Sequence, residues 1–347
     1  MTRIEDFKHI AVIQTAFLGD VALTLYLTQK IRNIHPSVEI SFVTTPSASA
    51  LVNCSTAIDN VITYDKRGLQ SGLKGIQFIA NILKEKNVDC VISPHRSLRT
   101  TLLSFLTKPK LSVSFNNSVL SILYSKRIYY KPHLHEVDRN LELLKIFNGN
   151  NNNIELPSVS LEFDDDVKSF MDYKLFSEGI KENNKIVLVA PGSIWNSKRW
   201  EEEYYTLLCN KLRNSGIKVI LIGSKDDWEL CSRISINSSV SNWAGLTSLP
   251  QTLVLMQKSD LTITNDSAPS HFAELSDCPV ITIFGPTSPK FGFAPRSEKS
   301  KVIEISDLKC RPCSIHGSNS CPTKTHACML HINPKIVYDA AKDILKI

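Results

Sequence analysis

HIAVIQTAFLGD, residues 9–20, reads as a strand, a short loop and the opening of a helix. HIAVIQT (9–15) holds four apolar residues in a row, Ile10 to Ile13, so neither face of that stretch is written for water. A strand buried on both sides belongs to a parallel sheet covered by helices. The helical pattern that follows, 20–33, stops at His35-Pro36, where proline disfavours a helical residue before it.

The same unit recurs outward from there. EISFVTT (39–45), NVITYD (60–65), VDCVISP (88–94) and KLSVSF (110–115) are further strand-length runs, with a helical pattern at 73–86. A polar tract, NGNNNN (148–153), reads as a surface loop. The acidic stretch 162–184 reads as a bridging helix between domains. A second series then begins with KIVLVAPG (185–192), KVILIGS (218–224), LTITND (261–266) and PVITIFGP (279–286). Helical patterns fill 201–215, 249–259 and 268–277, and 334–347 reads as a final amphipathic helix. Strand and helix in alternation, twice over, predict two Rossmann-like, doubly wound α/β domains. The expected boundaries are 1–165 for the first domain, 166–184 for the linker, 185–333 for the second domain and 334–347 for the closing helix. Ligands of open α/β sheets bind beyond the carboxyl ends of the strands, so an interdomain cleft lined by the loops after strands is where chemistry is expected.

Composition sets limits. The 347 residues suffice for two cores, with 42% hydrophobic and 21% charged residues. No apolar run reaches the roughly 18–20 residues needed to span a bilayer. The N-terminus carries Glu5 and Asp6 where a signal peptide wants positive charge, so a cytoplasmic location is expected. The net charge of +6 favours phosphate, on a nucleotide or on an anionic membrane surface. No nucleic-acid partner is expected, because no basic run with interleaved aromatics and no zinc-finger pattern occurs. Neither GxGxxG nor GxxxxGK[ST] is present, which argues against a nicotinamide oxidoreductase and a P-loop enzyme.

Three loops after strands carry the candidate residues. In TAFLGD (15–20), Asp20 fits a helix N-cap and also a general base at a cleft mouth. In APGSIWNSKRW (190–200), Ser193 and Lys198 lie beside a Pro-Gly turn, a set suited to phosphate, while Trp200 reads as a core anchor. In TNDSAPSHFAEL (264–275), Asp266 or Ser267 caps a helix whose free amides make an anion site.

Together these segments resemble glycosyltransferase family 9, the ADP-heptose:lipopolysaccharide heptosyltransferases. The resemblance rests on GD (19–20), APGS…KRW (190–200), LIGSKDD (221–227), WAGLTSL (243–249), TNDS…H (264–271) and FGPTSP (284–289), with PHRSLRT (94–100) and HEVDRNLELL (135–144) also similar. It implies a GT-B fold and an inverting transfer of heptose from ADP-heptose that requires no metal cofactor. The acceptor it implies is a lipopolysaccharide inner-core or related glycolipid at the inner leaflet of the cytoplasmic membrane, with the enzyme peripheral to that membrane. By matching position, Asp20 is the base and Lys198 grips the donor diphosphate. Asp266 holds the sugar hydroxyls, and Ser193, Ser267, Ser270 and His271 border the phosphates and sugar. Leu246 and Thr247 flank the nucleoside, with Asp226 on the ribose. Arg96 and Arg99 meet the acidic acceptor. The rival readings are a nucleotide-sugar epimerase or hydrolase on the same scaffold, and a noncatalytic nucleotide-sugar-binding protein.

Nine cysteines remain. Cys54, Cys90, Cys209, Cys231 and Cys278 sit in apolar stretches and read as small core residues. CRPCSIHGSNSCPTKTHAC (310–328) gathers Cys310, Cys313, Cys321 and Cys328, which could hold a structural Zn²⁺ or form a thiol-rich loop.

Overall fold

The computed structural model describes residues 2–147 and 155–347, so the NGNNNN tract lies outside the described residues. The chain divides into two units, one running to Glu162 and the other starting at Phe163.

The first unit is built on β1 (His9–Ile13), α1 (Leu18–Ile34), β2 (Glu39–Thr44), α2 (Pro46–Val52), β3 (Asn60–Thr63), α3 (Gly72–Glu85), β4 (Cys90–Ser93), α4 (Leu98–Thr107), β5 (Leu111–Phe115), β6 (Lys126–Ile128) and α5 (Glu136–Glu142). Its six strands are all parallel in the order β3-β2-β1-β4-β5-β6. Every residue of β1, β4 and β5 is buried, His9 and the serines of β4 and β5 included, as strands covered on both faces of a parallel sheet are. The sheet's direction of growth reverses between β1 and β4. The loops after those two strands therefore part and leave a crevice at the switch point. Asp20 follows β1, and His95 and Arg96 follow β4.

The second unit contains α6 (Asp165–Ser177), β7 (Ile186–Ala190), α7 (Glu202–Asn214), β8 (Lys218–Leu221), α8 (Trp228–Ser238), β9 (Ser241–Asn242), α9 (Leu249–Gln257), β10 (Leu261–Asn265), α10 (Ala268–Leu275), β11 (Val280–Phe284), β12 (Lys301–Glu304), α11 (Ala327–Leu330) and α12 (Pro334–Leu345). Strand order is β12-β11-β10-β7-β8-β9, again all parallel. Here the switch point falls between β7 and β10. Lys198 follows the first and Asp266 the second. The helix expected between the domains, α6, packs on α9.

The core of the second unit joins β7, β8, β10 and β11 to α7 and to the chain's last residues, including Met329, Ile332, Val337, Ala341 and Leu345. Trp200 is 2% exposed at the edge of that core. Its indole N–H donates to the Ile332 carbonyl at 3.0 Å, and Tyr204 and Tyr205 meet its ring edge-on. The core-anchor reading of Trp200 holds, and so does that of the five scattered cysteines, all buried.

Candidate functional site

Asp20 is not the N-cap expected of it. The helix starts two residues earlier, at Leu18, with Phe17 as N-cap. The Asp20 carboxylate instead reaches back and accepts the Phe17 N–H at 3.2 Å. An acceptor at the third helical position satisfies one free amide of the first turn. The carboxyl is pushed up to about 7, first because burial strips it of water and then because Glu136 adds negative charge nearby. The Phe17 amide and Arg96 pull the other way and do not cancel these effects. A carboxyl poised there carries a proton about half the time at neutral pH and accepts one readily.

Around Asp20 the first unit gathers the expected Arg96 together with polar groups that sequence patterns did not single out. His95 Nδ1 lies 3.0 Å from Thr15 Oγ1 and 2.9 Å from Thr100 Oγ1. Burial, with Lys66 and Arg96 adding repulsion, holds its pKa down at about 4, so the imidazole is neutral in working conditions. Lys66 donates to the Thr15 carbonyl, and its own pKa is lowered by burial and by Arg67 and Arg99. Arg96 lies 4.2 Å over the Tyr130 ring. Arg139, 5.3 Å from the same ring centre, holds Glu136 at 2.6 Å. Arg96 and Arg99 are both exposed. This rim combines a proton acceptor with cations suited to carboxylate or phosphate.

In the second unit, Lys198 Nζ sits 2.6 Å from Asp266 Oδ2 and 3.1 Å from the Asp266 carbonyl oxygen. Thr287, in the FGPTSP segment, donates its hydroxyl to the same Oδ2 at 2.6 Å. Asn265 fixes the two loops against each other. Its Oδ1 accepts from the Trp200 N–H and the Tyr205 hydroxyl, and its Nδ2 donates to the Pro191 carbonyl. Ser193 Oγ accepts the Trp195 N–H at 3.3 Å. Ser267 caps α10, its hydroxyl 3.2 Å from that of Thr264. Pro269, at the second helical position, removes one amide donor there. Ser270 is turned inward, 2.7 Å from the Thr282 hydroxyl, and His271 is buried beside Phe293.

The loop after β8 supplies a third wall. A cavity of about 420 Å³ is lined by Lys225, Trp228, Glu229, Ala244, Gly245 and Leu246. Leu246 and Trp228 leave apolar surface exposed, and Asp226 is exposed on the neighbouring turn. Thr247 is tied to Thr252 at 2.8 Å. The adjacent Asp227 is committed to Ser224, accepting from its backbone N–H and its hydroxyl at 2.9 and 2.7 Å. A Cβ at residue 192 would lie 2.1 Å from its Oδ1, so glycine there lets the β7 and β8 loops touch.

The family pattern described as glycosyltransferase family 9 (heptosyltransferase) matches residues 78–322, well over half of the 347-residue chain. The chain belongs to glycosyltransferase family 9. This family 9 glycosyltransferase is similar to the lipopolysaccharide core heptosyltransferase OpsX of Haemophilus influenzae, 26% identical over 86% of this chain and 84% of that protein. The structure of the glycosyl transferase family 9 protein from Veillonella parvula overlays with a TM-score of 0.88 at 20% identity, covering 99% of this chain and 98% of that one. E. coli ADP-heptose LPS heptosyltransferase II overlays at 0.78, also 20% identical, covering 97% and 98%. The two six-stranded parallel units of the family 9 enzyme are those of the GT-B fold.

The cysteine-rich segment of the family 9 enzyme grips the Lys198 loop. Ser197 N–H donates to the Ser318 carbonyl at 3.0 Å, and Ser318 N–H donates back to Ser197 Oγ at 2.9 Å. His326 bridges the Ser197 carbonyl oxygen, 3.0 Å from Nε2, and Glu201, 2.8 Å from Nδ1. Gly317 has φ +94°, and a Cβ there would press within 3.1 Å of Lys198 Cγ. Cys310, Cys313, Cys321 and Cys328 line one small cavity with His326. Among the described residues, no three His, Cys, Asp or Glu side chains are arranged as metal ligands. The Cys321 thiol is lowered to about 7, chiefly by its hydrogen bond with Thr323.

Proposed function

We propose that this enzyme is an inverting, metal-independent heptosyltransferase that moves heptose from ADP-heptose onto a lipopolysaccharide inner-core or related glycolipid at the cytoplasmic face of the membrane. The observation that carries the reading is the Asp20 carboxyl, held at about 7 beside a cationic rim at the switch point of its sheet. The donor and acceptor classes are carried over from the similar E. coli ADP-heptose LPS heptosyltransferase II and the H. influenzae lipopolysaccharide core heptosyltransferase OpsX.

In the proposed reaction Asp20 takes the proton of an acceptor hydroxyl while its oxygen attacks the anomeric carbon. The bond from that carbon to the diphosphate oxygen breaks, and its electron pair leaves with ADP. Attack opposite the leaving group inverts the centre. Negative charge grows on the departing diphosphate, where Lys198, the Ser193 hydroxyl and the amide end of α10 at Ser267 stabilise it. Those groups supply the positive charge that a divalent ion gives other transferases. Asp266 releases Lys198 to the phosphate and accepts hydroxyls of the sugar. Ser270 acts through its backbone and its bond to Thr282, and His271 packs behind them. The nucleoside lies in the cavity between Trp228 and Leu246, with Thr247 at its edge and Asp226 toward the ribose. Arg96 and Arg99, with Lys66, hold the acidic acceptor.

The test is release of ADP from ADP-heptose with and without a truncated inner-core glycolipid, in the presence of a chelator. Release that needs the acceptor, survives chelation and disappears in Asp20→Asn supports the reading. Release at the same rate without acceptor would make the chain a hydrolase instead.

A further inference from the structure

Between Asp89 and Glu136 the chain has no acidic residue at all. Across positions 90–135 it carries Arg96, Arg99, Lys108, Lys110, Lys126, Arg127 and Lys131. Two of the seven are spent on carboxylates outside the stretch, Lys110 on Asp89 and Lys131 on Glu142. Lys126 and Arg127 stand exposed on β6, the edge strand of the sheet.

The same stretch exposes aliphatic side chains in one turn. Val119 is 48%, Leu120 50% and Ile122 76% exposed. Leu120 has φ +51°, a left-handed conformation that leucine rarely adopts. Burial does not explain it, since the residue is half exposed. The turn is nevertheless firmly held. Val119 N–H donates to the Arg96 carbonyl at 3.1 Å, the Thr101 hydroxyl donates to the Val119 carbonyl at 2.7 Å, and Ser118 bonds Ser114 at 2.8 Å. Below it, Tyr124 is buried. On α4, Leu98 and Phe105 fall on the helical stripe of Thr101, three residues before it and four after, and both are nearly half exposed.

We infer that this face, the Val119–Ile122 turn with the outer stripe of α4 and the cations of β6, docks on an anionic phospholipid bilayer. Aliphatic side chains at the tip enter the headgroup boundary, and Lys126 and Arg127 meet lipid phosphates. A bilayer fits better than an acidic protein because the turn hangs from the backbone of Arg96, a residue placed here at the acceptor. The inference rests on the glycolipid reading in that respect. A lipid-anchored acceptor would then present its head group to Arg96 without leaving the membrane.

The experiment is co-sedimentation of the full chain with vesicles of phosphatidylethanolamine and phosphatidylglycerol, without any glycolipid. Phosphatidylcholine vesicles serve as the neutral control. The expected result is salt-sensitive binding to the anionic vesicles alone. It falls about ten-fold or more in the double variant Lys126→Glu/Arg127→Glu. It also falls in Ile122→Asp, and it is unchanged in Ile236→Asp, an exposed position on the second unit. Thermal unfolding and ADP binding of each variant confirm that it is folded. Failure of the wild type to bind anionic vesicles, equal binding to neutral ones, or equal losses in Ile236→Asp would overturn the inference. Binding as expected by a chain that shows no heptose transfer would sink the proposed reaction and leave the docking face standing.

Discussion

Lys198 and Asp266, 68 residues apart in sequence, are salt-bridged at 2.6 Å with only 12% and 9% of their side chains exposed. Each is the other's counter-ion in a site proposed to receive a diphosphate and a sugar. Losing one partner strands a nearly buried charge, which costs about 3–5 kcal/mol, far more than an exposed pair would.

Lys198→Ala is expected to lower kcat/KM by about 10²- to 10³-fold and to weaken ADP binding in parallel. Calorimetry with ADP beside steady-state kinetics checks this. Unaltered ADP affinity would remove Lys198 from the phosphate site.

Thr287→Val removes the hydroxyl that steadies Asp266 Oδ2. A hydrogen bond to a charged group is worth about 1.5–3 kcal/mol, so donor affinity should fall about ten-fold or more. Thr287→Ser should recover most of it. If Ser and Val behave alike, the hydroxyl has no part in holding the carboxylate.

The base proposed at Asp20 predicts a pH dependence. With its carboxyl at about 7, transfer should rise with pH and level off above that value. Stability runs the opposite way. A carboxyl raised on folding binds its proton more tightly in the native state, so its contribution is full below the unfolded value near 4 and lost as pH climbs through 7. Asp20→Asn should therefore abolish turnover while stabilising the fold at pH 8, by about 1–4 kcal/mol. Rate and denaturant midpoint measured across pH 5–9 test both halves. A wild-type rate flat across that range would contradict the base assignment.

His326→Ala cuts the bridge between Ser197 and Glu201. The expected outcome is a several-fold rise in donor KM with the Asp20 pH profile unchanged, since His326 acts on the Lys198 loop alone. His326→Gln, which keeps donors and acceptors, should restore part of the loss. A shifted pH profile would contradict this placement.

The central strands were legible because burial on both faces leaves no choice of residue. HIAVIQT, KIVLVAPG and PVITIFGP each contain the strand found, overshooting it by two or three residues. Of the four edge strands only β3, within NVITYD, was legible. β6 reads Lys-Arg-Ile and β9 only Ser-Asn, and neither carries an apolar signal, because an edge is half solvated. Asp20, Lys198 and Asp266 were recognisable singly, each sitting after a strand. Their partners were not, because the Asp266–Thr287 and Asn265–Trp200 bonds depend on tertiary packing that spacing does not encode. Glu136 and His95 lay within segments already noted for their resemblance, yet only the fold brings their charge and hydrogen bonds to the Asp20 loop.

The late position in the chain of the strap that steadies Ser197 has a consequence for synthesis. A ribosome that has translated every strand has still not made Ser318, His326 or the α12 residues that close the core of the second unit. Sugar-nucleotide handling should thus switch on only as the last few dozen residues emerge, so that a truncated product lacks competence even with Lys198 and Asp266 intact.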